Sequence, residues 1–204
     1  MLKKNKQIYL DFDGVICDSN FLKTQNIYTA TLQILNANEA KRFTDYFTSM
    51  NGVPREKKTL EYFGNPIVVE QILAIYTQLN KNLINANITD GLIDFLIKHK
   101  ENELIIISGG NKNEIITYLH KNKIINYFLK VLSGPKTKEE NLKNFPIKYP
   151  ALLIGDSYHD YEVATKFNLD FIFMYGATQE ANWRNANFNN TKFTKDFINL
   201  KDVI

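Results

Sequence analysis

Short apolar runs separated by helical stretches constrain this chain more than any other feature. Leu104-Ile105-Ile106-Ile107, a weaker run over 128–132, Ala151-Leu152-Leu153-Ile154 and Phe171-Ile172-Phe173-Met174 follow one another from residue 87 onward. Between them lie helical patterns: apolar Ile115, Ile116 and Leu119, a short polar stretch over 139–142, and residues 158–167. Parallel strands need a crossover between each pair, so this alternation predicts a parallel sheet covered by helices. Ile8-Tyr9-Leu10 supplies a fifth strand ahead of the others. The fold class expected is α/β, a doubly wound Rossmann-like three-layer core.

Residues 20–84 break the alternation. Leu22, Ile27, Leu32, Ile34 and Leu35 suit one amphipathic helix, and Val68, Val69, Ile72, Leu73, Ile75, Tyr76 and Leu79 suit another. Segments 40–46 and 55–63 read as helices between them, separated by a turn at Asn51-Gly52-Val53-Pro54. We therefore expect a catalytic core of 1–16 and 86–204, with a small α-helical cap over 17–85. Thr89 or Asp90 is expected to cap a helix running to 96–98, and a short helix is expected near 196–200.

Composition narrows the class without identifying it. The 204 residues are 44% hydrophobic and 23% charged, which is globular, and the net charge of +3 is spread along the chain. No basic stripe with interleaved aromatics points to nucleic acid, and no apolar run reaches the length of a membrane span. The basic stretch 1–6 is followed by too short an apolar run for a signal peptide. The lone Cys17 rules out an intramolecular disulfide and fits a reducing compartment, so a cytoplasmic location is expected. Cys17 reads as a small buried residue rather than a nucleophile.

In a parallel doubly wound sheet the residues just past each strand gather at one edge, where ligands bind. That edge collects Asp11 and Asp13, then Ser108 with Gly109 and Gly110, then Lys136 and Lys138, then Asp156 and Asp160. Taken alone, Asp11 and Asp13 could equally be turn residues before Gly14. Carboxylates, a hydroxyl beside glycine amides and a lysine in one cleft describe a site for a hard divalent cation and a phosphoryl group.

The four segments DFDGVICDS, IIISGG, the lysine of GPKTKEENL, and GDSYHD are similar, in order and at strand ends, to the motifs of the haloacid dehalogenase-like superfamily. The resemblance covers about residues 7–175, with the inserted helices where that superfamily places its first type of cap. It implies a magnesium-dependent phosphatase acting on a small phosphate ester through an aspartyl-phosphate. Asp11 would be the nucleophile and Asp13 the acid and base. Ser108, Gly109 and Gly110 would hold phosphate oxygens, and the motif lysine would neutralise them. Lys138, which opens a helix, is favoured over Lys136. Asp11, the Asp13 carbonyl, Asp156 and Asp160 would hold Mg2+.

Asp13 disfavours a dehalogenase, because that branch lacks the second aspartate. The related sugar phosphomutases carry a histidine some ten residues further on; here the neighbourhood reads Asn20-Phe21-Leu22-Lys23-Thr24, which favours hydrolysis, though Lys23 could do related work. Two alternatives stand beside the phosphatase: such a mutase, and a phospho-ligand sensor without turnover. Asn51-Gly52-Val53-Pro54-Arg55-Glu56-Lys57-Lys58 resembles a pattern of uncharacterised bacterial members. Arg55, with Asn51 beside it, could bind the substrate's distal group by its planar fork or could be an ordinary helix start; Lys58 is the weaker candidate. Tyr62 and Phe63 are expected in the cap core. His99 and His120 are expected at the surface near helix ends, and His159 at solvent or behind the ligands. Nothing in the sequence sets the oligomeric state.

Overall fold

A computed structural model describes residues 7–202, with side chains through residue 200; the expectations on 1–6 and 203–204 lie outside the described residues. Strands β1 (Gln7–Leu10), β2 (Glu103–Ile107), β3 (Phe128–Leu132), β4 (Ala151–Gly155), β5 (Asp170–Met174) and β6 (Lys192–Thr194) form one sheet in the order β3-β2-β1-β4-β5-β6. Every pairing is parallel. The chain winds outward from β1 through β2 to β3, then returns to place β4 against the other side of β1. That reversal opens a crevice at the C-terminal end of β1.

Alternation along each strand splits the core in two. Ile8, Leu10, Leu104, Ile106, Leu152 and Ile154 face helices α5 (Leu92–Lys98) and α6 (Lys112–Lys121). Tyr9, Ile105, Ile107, Leu153, Phe171 and Phe173 face α7 (Lys138–Lys143) and α8 (Tyr158–Lys166). Both faces are covered, so the central strands are almost wholly apolar, with Gln7 at the start of β1 the polar exception. Each such Ile or Leu contributes about 1.5–3 kcal/mol on burial.

Between β1 and β2 the chain builds α1 (Asn20–Leu32), α2 (Ala37–Ser49), α3 (Arg55–Phe63) and α4 (Pro66–Leu79). These helices share a third core of Ile27, Ala30, Phe43, Phe47, Ile72 and Tyr76, with Tyr62 and Phe63 packed against it as expected. The Asn36 and Asn65 side chains cap α2 and α4. Where the chain leaves and re-enters the sheet region, its two segments run side by side: Asp18 N donates to Asn87 O at 3.0 Å and Thr89 N to Ile16 O at 3.2 Å.

Four expectations need correction. Neither Thr89 nor Asp90 caps α5; Gly91, at φ +79°, precedes the helix, and the Thr89 hydroxyl is buried without a partner. The sheet has a sixth strand, β6, hidden in the polar tail because only Phe193 interrupts its polarity. The tail helix is a 3-10 turn at Asn199–Asp202, entered through Asp196 Oδ1, which accepts from Asn199 N at 2.9 Å. His99 is not at the surface but half-buried under the Phe95 ring, 4.5 Å between centroids, and burial, with Lys98, lowers its pKa. His120 is exposed, as expected.

Candidate active site

The site begins where β1 ends. Asp11 N extends the ladder by donating to Ile154 O at 2.9 Å, and the chain then turns tightly, with Ile16 N and Cys17 N both donating to Phe12 O at 2.9 Å. Gly14 makes the turn possible: its φ is +77°, and a Cβ there would lie 2.1 Å from Asp156 Oδ2. Cys17 is buried behind the turn, and burial pushes its thiol up to about 12, so it is not a nucleophile.

The first turns of α1 then reach back. Ser19 does not cap α1 with its side chain; its hydroxyl donates to Asp13 Oδ1 at 2.5 Å. One turn on, Lys23 Nζ lies 2.5 Å from the same oxygen. Burial alone would raise the Asp13 pKa, but Lys23 and the Ser19 hydroxyl hold it below the usual carboxylate range. Asn20 Nδ2 reaches Asp156 Oδ2 at 2.7 Å.

Three further strand ends complete the floor. After β2, the Ser108 hydroxyl accepts from Gly110 N at 3.0 Å. After β3, a capping box of Thr137 and Glu140 starts α7 and orients its first residue, Lys138. Lys138 Nζ lies 3.0 Å from Asp11 Oδ1 and 2.5 Å from Asp160 Oδ1. Although burial lowers the Lys138 pKa, these two carboxylates raise it, so it is a fixed cation. After β4 come Asp156 and, in the first turn of α8, Asp160, whose Oδ2 accepts from the Ser157 hydroxyl at 2.6 Å.

Asp11, Asp156 and Asp160 each present an oxygen within 4.8 Å of the others. Burial pushes Asp11 up to about 7, with Asp160 and Asp13 adding and Lys138 opposing. Burial also raises Asp156 well above the usual carboxylate range, helped by Asp11 and Asp160. Crowded buried carboxylates of this kind suit a hard divalent cation, which would favour their ionised forms. The two oxygens of Asp160 are already engaged by Lys138 and Ser157, so Asp11 and Asp156 are the open donors. The Asp13 carboxylate stands outside the group.

The floor closes a cavity of about 90 Å³ whose roof is the helical insert, with Lys23, Asn51, Arg55, Lys58 and Tyr76 on the roof wall. The Asn51–Pro54 turn seats on the core at Gly52, whose φ is +76° and whose missing Cβ would lie 2.2 Å from His159 Cδ2. His159 is thus packed against the roof rather than open to solvent. Arg55 Nη2 lies 2.5 Å from Glu114 Oε2, and its guanidinium lies 4.9 Å from the Tyr76 ring centroid. Asn51 Nδ2 reaches Glu180 Oε1 at 3.3 Å.

Asp11, Asp13, Ser108, Gly109, Gly110, Lys138 and Asp156 all line the cavity, as do Asn51 and Arg55. Asp160 lies behind Lys138, and Lys136 is exposed. Sequence reasoning missed Ser19, Asn20, Glu114 and Tyr76. The signal for the first two was local: Ser19, Asn20 and Lys23 fall on one helical face directly after the aspartates. Glu114 and Tyr76 carry no such signal.

A parallel α/β fold with buried carboxylates and a lysine at its switch point defines a class of enzymes that handle anionic substrates beside a metal. Within that class, the chain belongs to the haloacid dehalogenase-like hydrolases, whose family model matches residues 8–174. The four motifs resembled this same family. No curated protein matches the sequence. Solved structures share the fold at low identity. A predicted phosphatase from Clostridium acetobutylicum is 20% identical with TM-score 0.75, over 97% of this chain and 98% of the other. CbbY from Rhodobacter sphaeroides in complex with phosphate is 12% identical with TM-score 0.71, over 96% of each chain. The HAD-hydrolase YfnB from Bacillus subtilis bound to magnesium is 14% identical with TM-score 0.68, over 98% of each chain. The chain is therefore a hydrolase with the fold of this family's phosphatases. Among the described residues no helix is long and apolar enough to cross a membrane.

Proposed function

We propose that the protein is a magnesium-dependent phosphatase that hydrolyses a small phosphate ester in two steps. The single observation that carries this reading is Lys138 held between Asp11 and Asp160, which sets a fixed cation beside the first carboxylate after β1. Asp11 attacks phosphorus, the bond from phosphorus to the ester oxygen breaks, and Asp13 hands a proton to the departing oxygen. Asp13 then takes a proton from water, which attacks the aspartyl-phosphate, frees inorganic phosphate and restores Asp11. Because Ser19 and Lys23 hold Oδ1 of Asp13, Oδ2 is the oxygen left for this traffic; a Cβ at Gly110 would lie 3.5 Å from it. Ser108 and the Gly109 and Gly110 backbone cradle the phosphoryl oxygens.

Asp11 and Asp156 would hold Mg2+, with the Asp13 carbonyl as a further ligand, while Asp160 fixes Lys138 beside them and would support the ion from behind. Magnesium supplies charge that offsets the phosphoryl oxygens and keeps Asp11 ionised. The magnesium-bound neighbour and the acid cluster support that choice. The neighbours solved with phosphate and with a bisphosphate support a small phosphate ester.

Residues 17–85 act as a cap, excluding water from the first step, with 1–16 and 86–204 as the catalytic core. A cytoplasmic location fits the unpaired Cys17. The mutase reading keeps one observation in its favour, the grip of Lys23 on Asp13.

The test is release of inorganic phosphate from p-nitrophenyl phosphate. Wild type turns over with magnesium and stops with EDTA, and Asp11→Asn forms no phosphoenzyme. Turnover by Asp11→Asn, or by fully chelated enzyme, overturns the proposal. An isomerised sugar phosphate without phosphate release would favour the mutase.

A further inference from the structure

Beside the active-site cavity lies a second one, of about 360 Å³, between α2 of the insert and residues 177–188 after β5. Thr48, Asn51 and Gln179 line both, so the two cavities adjoin. Their walls differ in charge. Lys23, Arg55, Lys58 and Lys138 line the first. Among the described residues the second has no lysine, arginine or histidine on its wall, but two carboxylates, Asp45 and Glu180.

Neither carboxylate is fully engaged. Asp45 is exposed on α2, and its side chain has no hydrogen bond or ion pair among the described residues. Glu180 uses one oxygen: Oε1 accepts from Asn51 Nδ2 at 3.3 Å and from Tyr158 N at 3.2 Å, while Oε2 has no partner among them. In a chain of net charge +3, a cavity wall with two unpaired acids and no cation favours a positively charged occupant.

The rings of the same cavity supply an independent observation. Tyr158, at the first position of α8, is 42% exposed, and its ring stands 5.7 Å from that of Phe188 at 52°. The two make an aromatic corner on the cavity wall. A third ring, Trp183, already carries the Arg184 guanidinium 4.5 Å from its centroid, so one ring of this group holds a cation within the chain itself. The negative face of an aromatic ring attracts cations, and quaternary ammonium groups are commonly held in this way.

We propose that this annex receives the leaving group, so that the substrate is a phosphate ester whose alcohol part carries an ammonium group. The proposal rests on the phosphatase reading and extends it to the far end of the substrate. The phosphoryl group lies on the floor beside Asp11, the alcohol chain passes Asn51 and Gln179, and the ammonium rests on the corner of Tyr158 and Phe188. Asp45 and Oε2 of Glu180 are its counter-charges. A neutral end gains no charge pairing there, and an anionic end is repelled by both acids.

The test uses two pairs of esters, each matched in shape and differing at the far end only in charge. Phosphocholine is set against 3,3-dimethylbutyl phosphate, and 5-aminopentyl phosphate against hexyl phosphate. Wild-type kcat/KM for the cationic member of at least one pair is expected to exceed that of its neutral partner by about five- to thirtyfold, chiefly through KM, the range for a cation on an aromatic face with partly exposed carboxylates nearby. The pair with the larger ratio sets the reach from phosphorus to the annex. The double variant Asp45→Asn with Glu180→Gln keeps both side chains' size and the Glu180 acceptor, and should shrink that ratio to within about twofold. Trp183 is the one tryptophan of the chain, so its fluorescence reads the annex directly. Titration of Asp11→Asn with the same esters should change Trp183 emission saturably, with a lower midpoint for the cationic member. Equal kcat/KM and equal midpoints within both pairs overturn the annex, as does a ratio that the double variant leaves undiminished. Absence of turnover on every ester overturns the phosphatase reading instead, and the emission midpoints still decide whether the annex binds a cation.

Discussion

Lys23 Nζ and Asp13 Oδ1 lie 2.5 Å apart, joining the first helix of the insert to the second aspartate of the strand-end pair. The contact ties the protonation of a floor carboxylate to the position of the roof. Lys23 favours the ionised form of Asp13 and so strengthens it as a proton donor, and Lys23 in turn is raised by Asp13 against the opposite pull of burial. Seating α1 on the sheet edge therefore sets the charge of the group proposed to move protons.

Removing that cation should shift the pH response. In Lys23→Met the Asp13 pKa rises, because burial then acts with less opposition. The alkaline limb of the kcat/KM profile, where Asp13 loses the proton it hands to the leaving oxygen, is expected to move to higher pH. A profile that scales down without moving would show that Lys23 only shapes the cavity.

Asp160→Ala should cost stability before it costs binding. Asp160 is fully buried and holds both Lys138 and Ser157. Its loss leaves Lys138 with Asp11 alone, and we expect a destabilisation of about 3 kcal/mol in urea unfolding. A loss under about 0.5 kcal/mol, the scale of an exposed pair, would contradict this account.

Lys58 imposes a pH dependence on folding. Its folded pKa, about 7, lies below the unfolded value of 10.5, so the unfolded chain binds more protons between these limits. Stability from this group accordingly rises as pH climbs from about 7 toward 10, by an amount on the order of a few kcal/mol. Urea unfolding against pH should show the slope in wild type and lose it in Lys58→Met.

Gly14→Ala should damage site and fold together. The backbone conformation at φ +77° is strained for alanine, and its Cβ would meet Asp156 Oδ2. We expect a loss of roughly 1–3 kcal/mol in thermal unfolding, with weaker magnesium binding measured by calorimetry. An unchanged magnesium affinity would mean that the turn yields and leaves Asp156 in place.

Much of this was readable from local pattern. The apolar runs forecast five of the six strands, because a strand buried on both faces is apolar along most of its length. The sixth, Lys192–Thr194, is an edge strand with a mostly polar sequence, and only its pairing with β5 reveals it. The start of α5 was misread for a related reason: Thr89 and Asp90 are good capping types, but the left-handed Gly91 intervenes.

The floor of the site shows the same division. Asp11, Asp13, Ser108, Lys138 and Asp156 could be located because each follows a strand or opens a helix, and a parallel sheet brings all such positions to one edge. The choice of Lys138 over Lys136 came from its place at the opening of a helix, a start that the Thr137 and Glu140 capping box fixes in the structure. Partnerships across the chain left no such trace. Asn20 and Asp156 stand 136 positions apart, and Arg55 and Glu114 stand 59 apart.

Strand periodicity, turn chemistry and helix caps act over a few residues, so the sequence alone carried the α/β core, the helical insert and the acids at the head of β1. Which cation meets which carboxylate depends on how α1 and α3 lie across the sheet edge. That placement arises from packing between segments far apart in the chain, and no local period encodes it. Folding thus pairs Lys23 with Asp13 and leaves Lys58 without a counter-charge among the described residues.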